Sequence, residues 1–222
     1  LGIDSSMCDN YDHKMHWPQL PDKQNGFSVN AAKNDSGYIY LAEDFKCSET
    51  GEINNIYFWG QYYDVDSTGS EYYIAFAEKT GNSIGNILWE RVFYPSDVNM
   101  VELNNYTTNY FYLDTTINQF SSLCWRHEIE NIFKPFCQKQ GEEYWFILQV
   151  MSQNHKKWGW RNSNSPLYGE KFKLGYYTNP GHAGSVSSWE EYGVIQSIPV
   201  INPAEKLAFV LSGAKPCGTP SP

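Results

Sequence analysis

Ile-Asn-Asn-Ile-Tyr-Phe-Trp-Gly-Gln-Tyr-Tyr, residues 53–63, is the stretch that decides the fold class, because bulky side chains occupy both faces of an extended chain. Successive side chains of a β-strand point to opposite faces, so Ile56 and Phe58 would lie on one face and Tyr57 and Trp59 on the other. We therefore predict a strand whose two faces are both partly covered.

Turn signals around this stretch divide the chain into short strands. Residues 64–70 (DVDSTGS) are typical of a turn, and Tyr72–Glu78 would return as the second strand of a hairpin over 53–78. Other predicted strands are Tyr38–Phe45, Ile87–Tyr94, Met100–Asn104, Tyr110–Asp114, Leu123–Glu130, Glu143–Met151, Lys171–Tyr177 and Lys206–Leu211. Turns at intervals of roughly 8–12 residues favour a sandwich. The predicted fold is all-β: a single antiparallel β-sandwich, jelly-roll-like.

We expect three segments along the chain. Residues 1–26 are polar and turn-rich and would form an N-terminal extended segment; residues 27–213 would form the sandwich domain; residues 214–222, rich in Gly, Pro and Ser, would form a C-terminal tail. Apolar residues recur at helical spacing within 129–136, but Pro135 would end such a helix after a turn or two. At most a short helical turn is expected there.

Composition limits the partners that the protein can take. Of 222 residues, 41% are hydrophobic and 17% aromatic, so a sizeable core is expected. The formal charge of −9 argues against nucleic acid, whose phosphates require clustered Lys and Arg. No apolar run approaches the roughly 18 residues that a membrane-spanning helix needs. The chain begins at Leu1 rather than Met, and we expect that an export signal has been removed.

The five cysteines, Cys8, Cys47, Cys124, Cys137 and Cys217, lack any C-x-x-C spacing, which argues against a zinc site. In a secreted or cell-surface protein they are expected to form disulfides. A bridge between Cys8 and Cys217 would hold both ends of the chain. The other three would then supply one more bridge and one free thiol, with the pairing left open.

No catalytic motif is visible. His127-Glu128 lacks the second histidine of a zinc-protease motif, and there is no nucleophile elbow or phosphate-binding glycine loop. Two acids could serve a glycosidase, and the adjacent pairs are Glu43-Asp44, Glu142-Glu143 and Glu190-Glu191. Because neighbours on a strand point to opposite faces, we interpret all three pairs as solvated surface. We expect no catalytic residues and no enzyme.

One turn carries a possible metal site. Asp64, Asp66 and Thr68 are followed by Gly69, which reproduces the opening of a calcium-binding loop. The twelfth position of such a loop would be Ala75, where a bidentate Glu is required. Asp and Gly are also ordinary turn residues. Calcium is therefore the one candidate cofactor, with a plain turn as the alternative.

Two tryptophans carry a possible ligand site. Trp158 and Trp160 are two residues apart, so both would face one side of a strand and could stack on sugar rings. Tyr62 and Tyr72, which flank the predicted hairpin, could extend that surface. The alternative is that these rings fill the core and its rim.

A series of short motifs resembles an uncharacterised family of exported β-sandwich domains in environmental bacteria, often found with a C-terminal surface-sorting tail. The motifs are residues 14–22 (KMHWPQLPD), 41–47 (LAEDFKC), Thr50-Gly51 with Ile53, Ile56 and Phe58-Trp59-Gly60, Leu88-Trp89, Cys124-Trp125, Tyr144-Trp145, Gly159-Trp160, and 207–210 (LAFV) with Gly213. The resemblance implies an exported β-sandwich without assigned catalytic residues. It also suggests that Cys47 and Cys124 form a disulfide.

The function predicted from these features is that of a non-catalytic extracellular protein of the cell surface or matrix. It would act through contacts with other extracellular proteins or with itself, in a filament or layer. The alternative is a carbohydrate-binding module that holds polysaccharide on exposed aromatic side chains, assisted by calcium.

Overall fold

The computed structural model describes residues 14–23, 26–34, 37–62, 69–103, 110–113, 116–118, 123–152, 158–163, 169, 171–177, 183–186, 188–191, 206–213, 216 and 217. Nearly all of these residues belong to strands or to the turns between them. Within them, no helix has both the length and the apolar character needed to cross a membrane.

Nineteen strands are present in the described ranges. They are β1 (Lys14–Gln19), β2 (Phe27–Asn30), β3 (Lys33–Asn34), β4 (Gly37–Lys46), β5 (Gly51–Ile53), β6 (Asn55–Tyr62), β7 (Ser70–Thr80), β8 (Ser83–Phe93), β9 (Asn99–Leu103), β10 (Tyr110–Leu113), β11 (Thr116–Asn118), β12 (Cys124–Ile129), β13 (Phe136–Gln138), β14 (Glu143–Ser152), β15 (Trp158–Ser163), β16 (Lys173–Tyr177), β17 (Trp189–Glu191), β18 (Lys206–Leu207) and β19 (Phe209–Gly213). The described residues also contain two 3-10 turns, Pro95–Asp97 and Ala183–Ser185.

The strands form two large sheets. Sheet 1 has ten strands in the order β1-β19-β6-β15-β2-β10-β11, with β12 and then β9 on the other side of β6 and β18 beside β15. Sheet 2 has seven strands in the order β17-β16-β4-β14-β7-β8, with β3 beside β4, and β5 and β13 form a small separate pair. Pairing is antiparallel except between β10 and β2. The predicted all-β sandwich is confirmed.

Alternating side chains from the inner faces of both sheets form the core. Phe146 of sheet 2 packs against Trp160 and Phe209 of sheet 1, with ring centroids 5.3 Å and 4.9 Å apart. Such aromatic contacts bury large apolar areas and hold the sheets face to face. On the decisive strand β6, Phe58 joins this core while Trp59 is buried on the opposite face. Both faces are covered, as the sequence predicts.

The hairpin predicted over 53–78 is wrong. β6 lies in sheet 1, where β12 pairs with one side and β19 and β15 with the other. β7 lies in sheet 2 between β14 and β8. The chain therefore crosses from one sheet to the other between these strands, because every edge of β6 is already occupied by strands distant in sequence.

Two further segments add detail to their sequence interpretation. Lys14–Gln19, within the predicted extended segment, forms the edge strand β1 beside β19. The segment with helical spacing contains no helix, because Ile129 ends β12 and Phe136 begins β13. Ile132 between them is 6% exposed, so its apolar character reflects burial in the sandwich core.

Candidate functional site

The four aromatic residues predicted to bind a ligand lie in the core. Trp158 and Trp160 are completely buried, and Tyr62 and Tyr72 are 3% and 1% exposed. The two tryptophans lie on β15, which is paired with β6 and β2, and they point toward sheet 2. Trp160 Nε1 donates to the carbonyl of Ala208 at 2.8 Å, as buried indole N–H groups usually do. The expected exposed aromatic platform is therefore wrong at these positions.

These rings enclose a histidine that the sequence interpretation did not use. His127 lies opposite Phe58 on β6, and the two rings stack with centroids 4.8 Å apart and planes 8° apart. Trp158 and Tyr72 present their edges to the same imidazole, and the Tyr72 hydroxyl hydrogen-bonds that of Tyr62 at 2.6 Å. Burial lowers the pKa of His127 to about 3, so the ring is neutral. The alternation of β12, which places His127 with buried Ile129, could have revealed this position.

A buried charge cluster replaces the solvated surface expected for Glu43-Asp44. Both carboxylates have no exposed side-chain area, and Lys206 Nζ lies 3.1 Å from Glu43 Oε1 and 3.1 Å from Asp44 Oδ1. Lys79 Nζ contacts Asp44 at 2.5 Å and Glu143 at 3.0 Å. The other two adjacent pairs have partly or fully exposed members. The interpretation as surface is therefore wrong for Glu43-Asp44.

The edge of β4 explains why one ammonium reaches both neighbours. β16 pairs with β4 only as far as Ala42, so Lys206 can approach residues 43 and 44 from the side of the strand. The backbone N–H of Leu207 also donates to Glu43 Oε2 at 2.9 Å, which connects β4 of sheet 2 to β18 of sheet 1. Gly169, with φ of +83°, lies so close to the Asp44 carboxylate that a Cβ would overlap it.

Desolvation gives Glu43 an unusual protonation. Burial raises its pKa to about 8, against the opposing effect of Lys206. Two ammonium groups face three carboxylates in the cluster, so a proton on Glu43 balances the buried charge. A glycosidase acid must face its substrate. Glu43 and Asp44 are instead buried, and both contact Lys206. The arrangement fits an interior connection between the sheets.

The cysteines pair differently from both expectations. Cys137 and Cys217 form a disulfide across 80 residues, and Cys47 and Cys124 are buried free thiols. Cys47 is in the sandwich core and donates to Gln138 Oε1 at 2.7 Å, whereas Cys124 lies on the outer face of sheet 1. The pairs Cys8–Cys217 and Cys47–Cys124 are therefore wrong; Cys8 itself lies outside the described residues.

The predicted calcium loop cannot be placed. Asp64, Asp66 and Thr68 lie outside the described residues, and Gly69 is the first described residue before β7. Elsewhere in the described part of the chain, His, Cys, Asp and Glu side chains form no group of three that could hold a metal ion. Calcium at this loop stays a prediction.

The accessible candidate site is an edge of the sandwich. β8 is the last strand of sheet 2, β9 is the last strand beyond β12 in sheet 1, and residues 94–98 join them, so both edges lie on one side. Register shifts interrupt the pairing of β8 with β7 between Ile84 and Trp89, but pairing is regular from Trp89 to Phe93. Bulges protect an edge from strand addition. The regular half lacks that protection.

Exposed apolar side chains lie along and beside this edge. Leu88, Tyr94 and Phe133 are 43%, 54% and 64% exposed, and we call these three residues the β8 surface. Phe133 is held beside β8 because Trp89 Nε1 donates to the carbonyl of Lys134 at 2.9 Å. Leu88 and the nearby Phe136 line one cleft of about 500 Å³. Exposed apolar residues in one area favour contact with another protein.

Comparisons with known proteins identify a family but no characterised relative. No curated protein and no solved structure matches the chain. The family described as a domain of unknown function, DUF7901, matches residues 15–211. The expectation of an uncharacterised domain family is confirmed by this match.

Proposed function

This chain belongs to DUF7901, a family of domains of unknown function, and from that premise we propose that it is a non-catalytic extracellular protein of the cell surface or matrix. It acts through protein–protein contacts, including contacts with further copies of itself in a filament or layer. The observation that carries the proposal is the β8 surface beside the open edges of β8 and β9.

The chemistry of that edge supports a strand-addition contact. Among the described residues, the regular part of β8, from Trp89 to Phe93, pairs only with β7, so its outward backbone groups can pair with a strand of another chain. Arg91 lies 5.7 Å from the Trp89 ring and 5.9 Å from the Phe93 ring, which holds the aromatic side chains in place. Apolar residues of the β8 surface would add buried area around that strand pair.

The distribution of reactive groups supports a role without catalysis. Among the described residues, three groups with the chemistry for acid–base work, His127, Glu43 and Asp44, are completely buried. An acid or base must come within hydrogen-bonding distance of the proton that it transfers. In this fold His127 packs among aromatic rings of the core, and Glu43 and Asp44 pair with Lys206 away from solvent.

The disulfide supports the extracellular location. Cys137–Cys217 joins the end of the described chain to β13. Disulfides persist in oxidising compartments and are rare in the cytosol of most organisms. An exported protein that works outside the cell is therefore the reading we adopt.

Light scattering coupled to size-exclusion chromatography tests the proposal. We expect the wild-type protein to associate reversibly as its concentration rises. Leu88→Lys places a charge at the β8 surface and should weaken association by about tenfold or more, because burying an unpaired charge at an interface is costly. The matched control is Leu123→Lys, because Leu123 is 44% exposed, like Leu88. Leu123 directly precedes β12, whereas Phe133 of the β8 surface follows the end of that strand.

Two results would count against the proposal. The first is a wild-type protein that stays monomeric at every concentration and in the presence of calcium. The second is an equal loss of association in Leu88→Lys and Leu123→Lys, which would place the contact elsewhere.

A further inference from the structure

We propose that a cleft on the outer face of sheet 2, lined by Trp189 of β17 and by the turn between β7 and β8, binds a neutral carbohydrate chain. The cleft has a volume of about 320 Å³, within the range of roughly 300–1,000 Å³ that is usual for small-ligand sites. It lies on the face opposite the sandwich core and uses none of the residues of the β8 surface. The inference therefore goes beyond the proposed protein–protein function.

The cleft lies where the turn between β7 and β8 approaches β17 at the outer face of sheet 2. β17 and β8 are the first and last strands of this sheet, yet Asn82 Nδ2 donates to Glu191 Oε1 at 2.5 Å. Beneath this closure Trp145 is completely buried, and its Nε1 donates to the carbonyl of Ser83 at 3.2 Å. Trp145 thus supports the turn at Ser83 from below, while Trp189 is the aromatic residue that lines the cleft.

Trp189 is positioned by the backbone on which it lies. Gly175 of β16 lies opposite Trp189, and a Cβ at Gly175 would come within 3.0 Å of the indole ring. The indole is therefore pressed against bare backbone, which only glycine permits. Tyr40 meets the Trp189 ring edge-on, with centroids 6.4 Å apart and planes at 76°. This half-buried indole is held in place before any ligand arrives, and preorganised aromatic rings bind at a smaller entropic cost.

Polar groups of balanced charge surround the indole. Lys173 lines the cleft, with its Nζ 5.5 Å from the Trp145 ring centroid and 3.8 Å from Glu191 Oε1. Asn82 and Ser188 add an amide and a hydroxyl, each able to donate and to accept. Among the described residues that line the cleft, the ammonium of Lys173 is faced by the Glu191 carboxylate, which leaves no excess charge for a phosphate or a carboxylate ligand.

A neutral sugar has the chemistry that fits this combination. Its ring presents an apolar C–H face to an indole, and its hydroxyls both donate and accept hydrogen bonds. Ile84, Ile87 and Val186 supply further apolar wall to the cleft. The aromatic residue for sugar binding is thus Trp189, whereas Trp158 and Trp160, the residues expected from the sequence, are interior.

Affinity electrophoresis through gels that contain a single polysaccharide tests the proposal. The probes are hydroxyethylcellulose, xylan, galactomannan and mixed-linkage glucan as neutral chains, with alginate and polygalacturonate as acidic ones. We expect the whole protein to be retarded by at least one neutral chain. Trp189→Ala should weaken that binding by about tenfold or more. Trp125→Ala, which removes a half-buried tryptophan of sheet 1, should leave it unchanged.

A second variant tests the cleft independently, in case Trp189→Ala fails to fold. Asn82→Ala removes an exposed amide of the cleft and should also weaken binding, while near-ultraviolet circular dichroism reports whether each variant keeps its core. The proposal is overturned if no neutral chain retards the protein, if only acidic chains do, or if Trp189→Ala binds as well as wild type. Leu88→Lys should bind polysaccharide normally, which separates failure of this site from failure of the protein contact.

Discussion

Single polar residues inside the core make the stability of the fold sensitive to pH. His127 and Glu43 are both completely buried, but burial changes their pKa values in opposite directions, because it disfavours the charged form of each. The imidazole becomes harder to protonate and the carboxyl becomes harder to ionise. The folded state therefore prefers both groups neutral. Burial of His127 lowers stability in acid, and burial of Glu43 lowers stability in alkali.

We expect His127 to make the fold sensitive to acid. Its folded pKa of about 3 lies below the ordinary value of 6.5, so the unfolded chain binds a proton more readily. The stability that neutral His127 contributes is complete above pH 6.5 and is lost as the pH falls toward 3. Replacement by phenylalanine, which keeps a ring against Phe58, removes this dependence. The unfolding free energy of His127→Phe minus that of wild type should therefore rise by about 1.4 kcal/mol for each unit by which the pH falls across that window.

Urea unfolding at a series of pH values measures this difference. Other histidines are common to both proteins, so their effect cancels in the comparison. A difference that stays constant with pH would show that His127 does not titrate on unfolding as proposed.

At the scale of elements, close contact between β6 and β15 sets the position of the central tryptophans. Gly60 lies opposite Trp160 in the ladder, and a Cβ added there would overlap Trp158 Cζ2. Glycine in a strand costs conformational entropy, and here the missing side chain provides the space for an indole. The same strand pair thus explains why both tryptophans are interior.

We expect Gly60→Ala to lower stability by about 1–3 kcal/mol, since a methyl group in a filled core forces neighbouring rings off their preferred rotamers. Thermal unfolding followed by circular dichroism measures the loss. Gly184→Ala is the control, because its added Cβ would make only an ordinary contact of 3.5 Å with Ile87. Equal midpoints for the two variants would mean that β15 moves aside at no cost.

At the scale of the whole molecule, the disulfide holds the last described residues to the small β5–β13 pair. Cys137 is in β13, and Cys217 follows β19 by four residues. The link closes a loop of 80 residues that includes strands of both sheets. A long closed loop restricts the unfolded chain and so favours the folded state.

We expect Cys217→Ser to lower the unfolding free energy by about 4 kcal/mol, the loop-entropy value for a closure of this length. Urea unfolding of the variant and of oxidised wild type measures the loss. Peptide mapping without reduction should recover Cys137 joined to Cys217. A recovered Cys47–Cys124 or Cys8–Cys217 peptide would contradict the structure.

Alternation along the chain allowed the fold class and most strands to be predicted, because a period of two is a local property of consecutive residues. The buried strand around Phe58 and Trp59 was predicted on this ground. The same rule placed Trp158 and Trp160 on one face of a strand, but it could not say whether that face meets water or another sheet. Residue type alone cannot resolve that choice, since large aromatics suit both environments.

Only the tertiary structure decided which residues meet. Glu43 and Asp44 are buried because Lys206, 162 residues away from Asp44, reaches them at the side of β4. Trp189 lines a cleft because β17 and the turn between β7 and β8 meet at the outer face of sheet 2. Such contacts join positions far apart in the chain, and their geometry depends on strand order and sheet curvature, which leave no local pattern in the sequence.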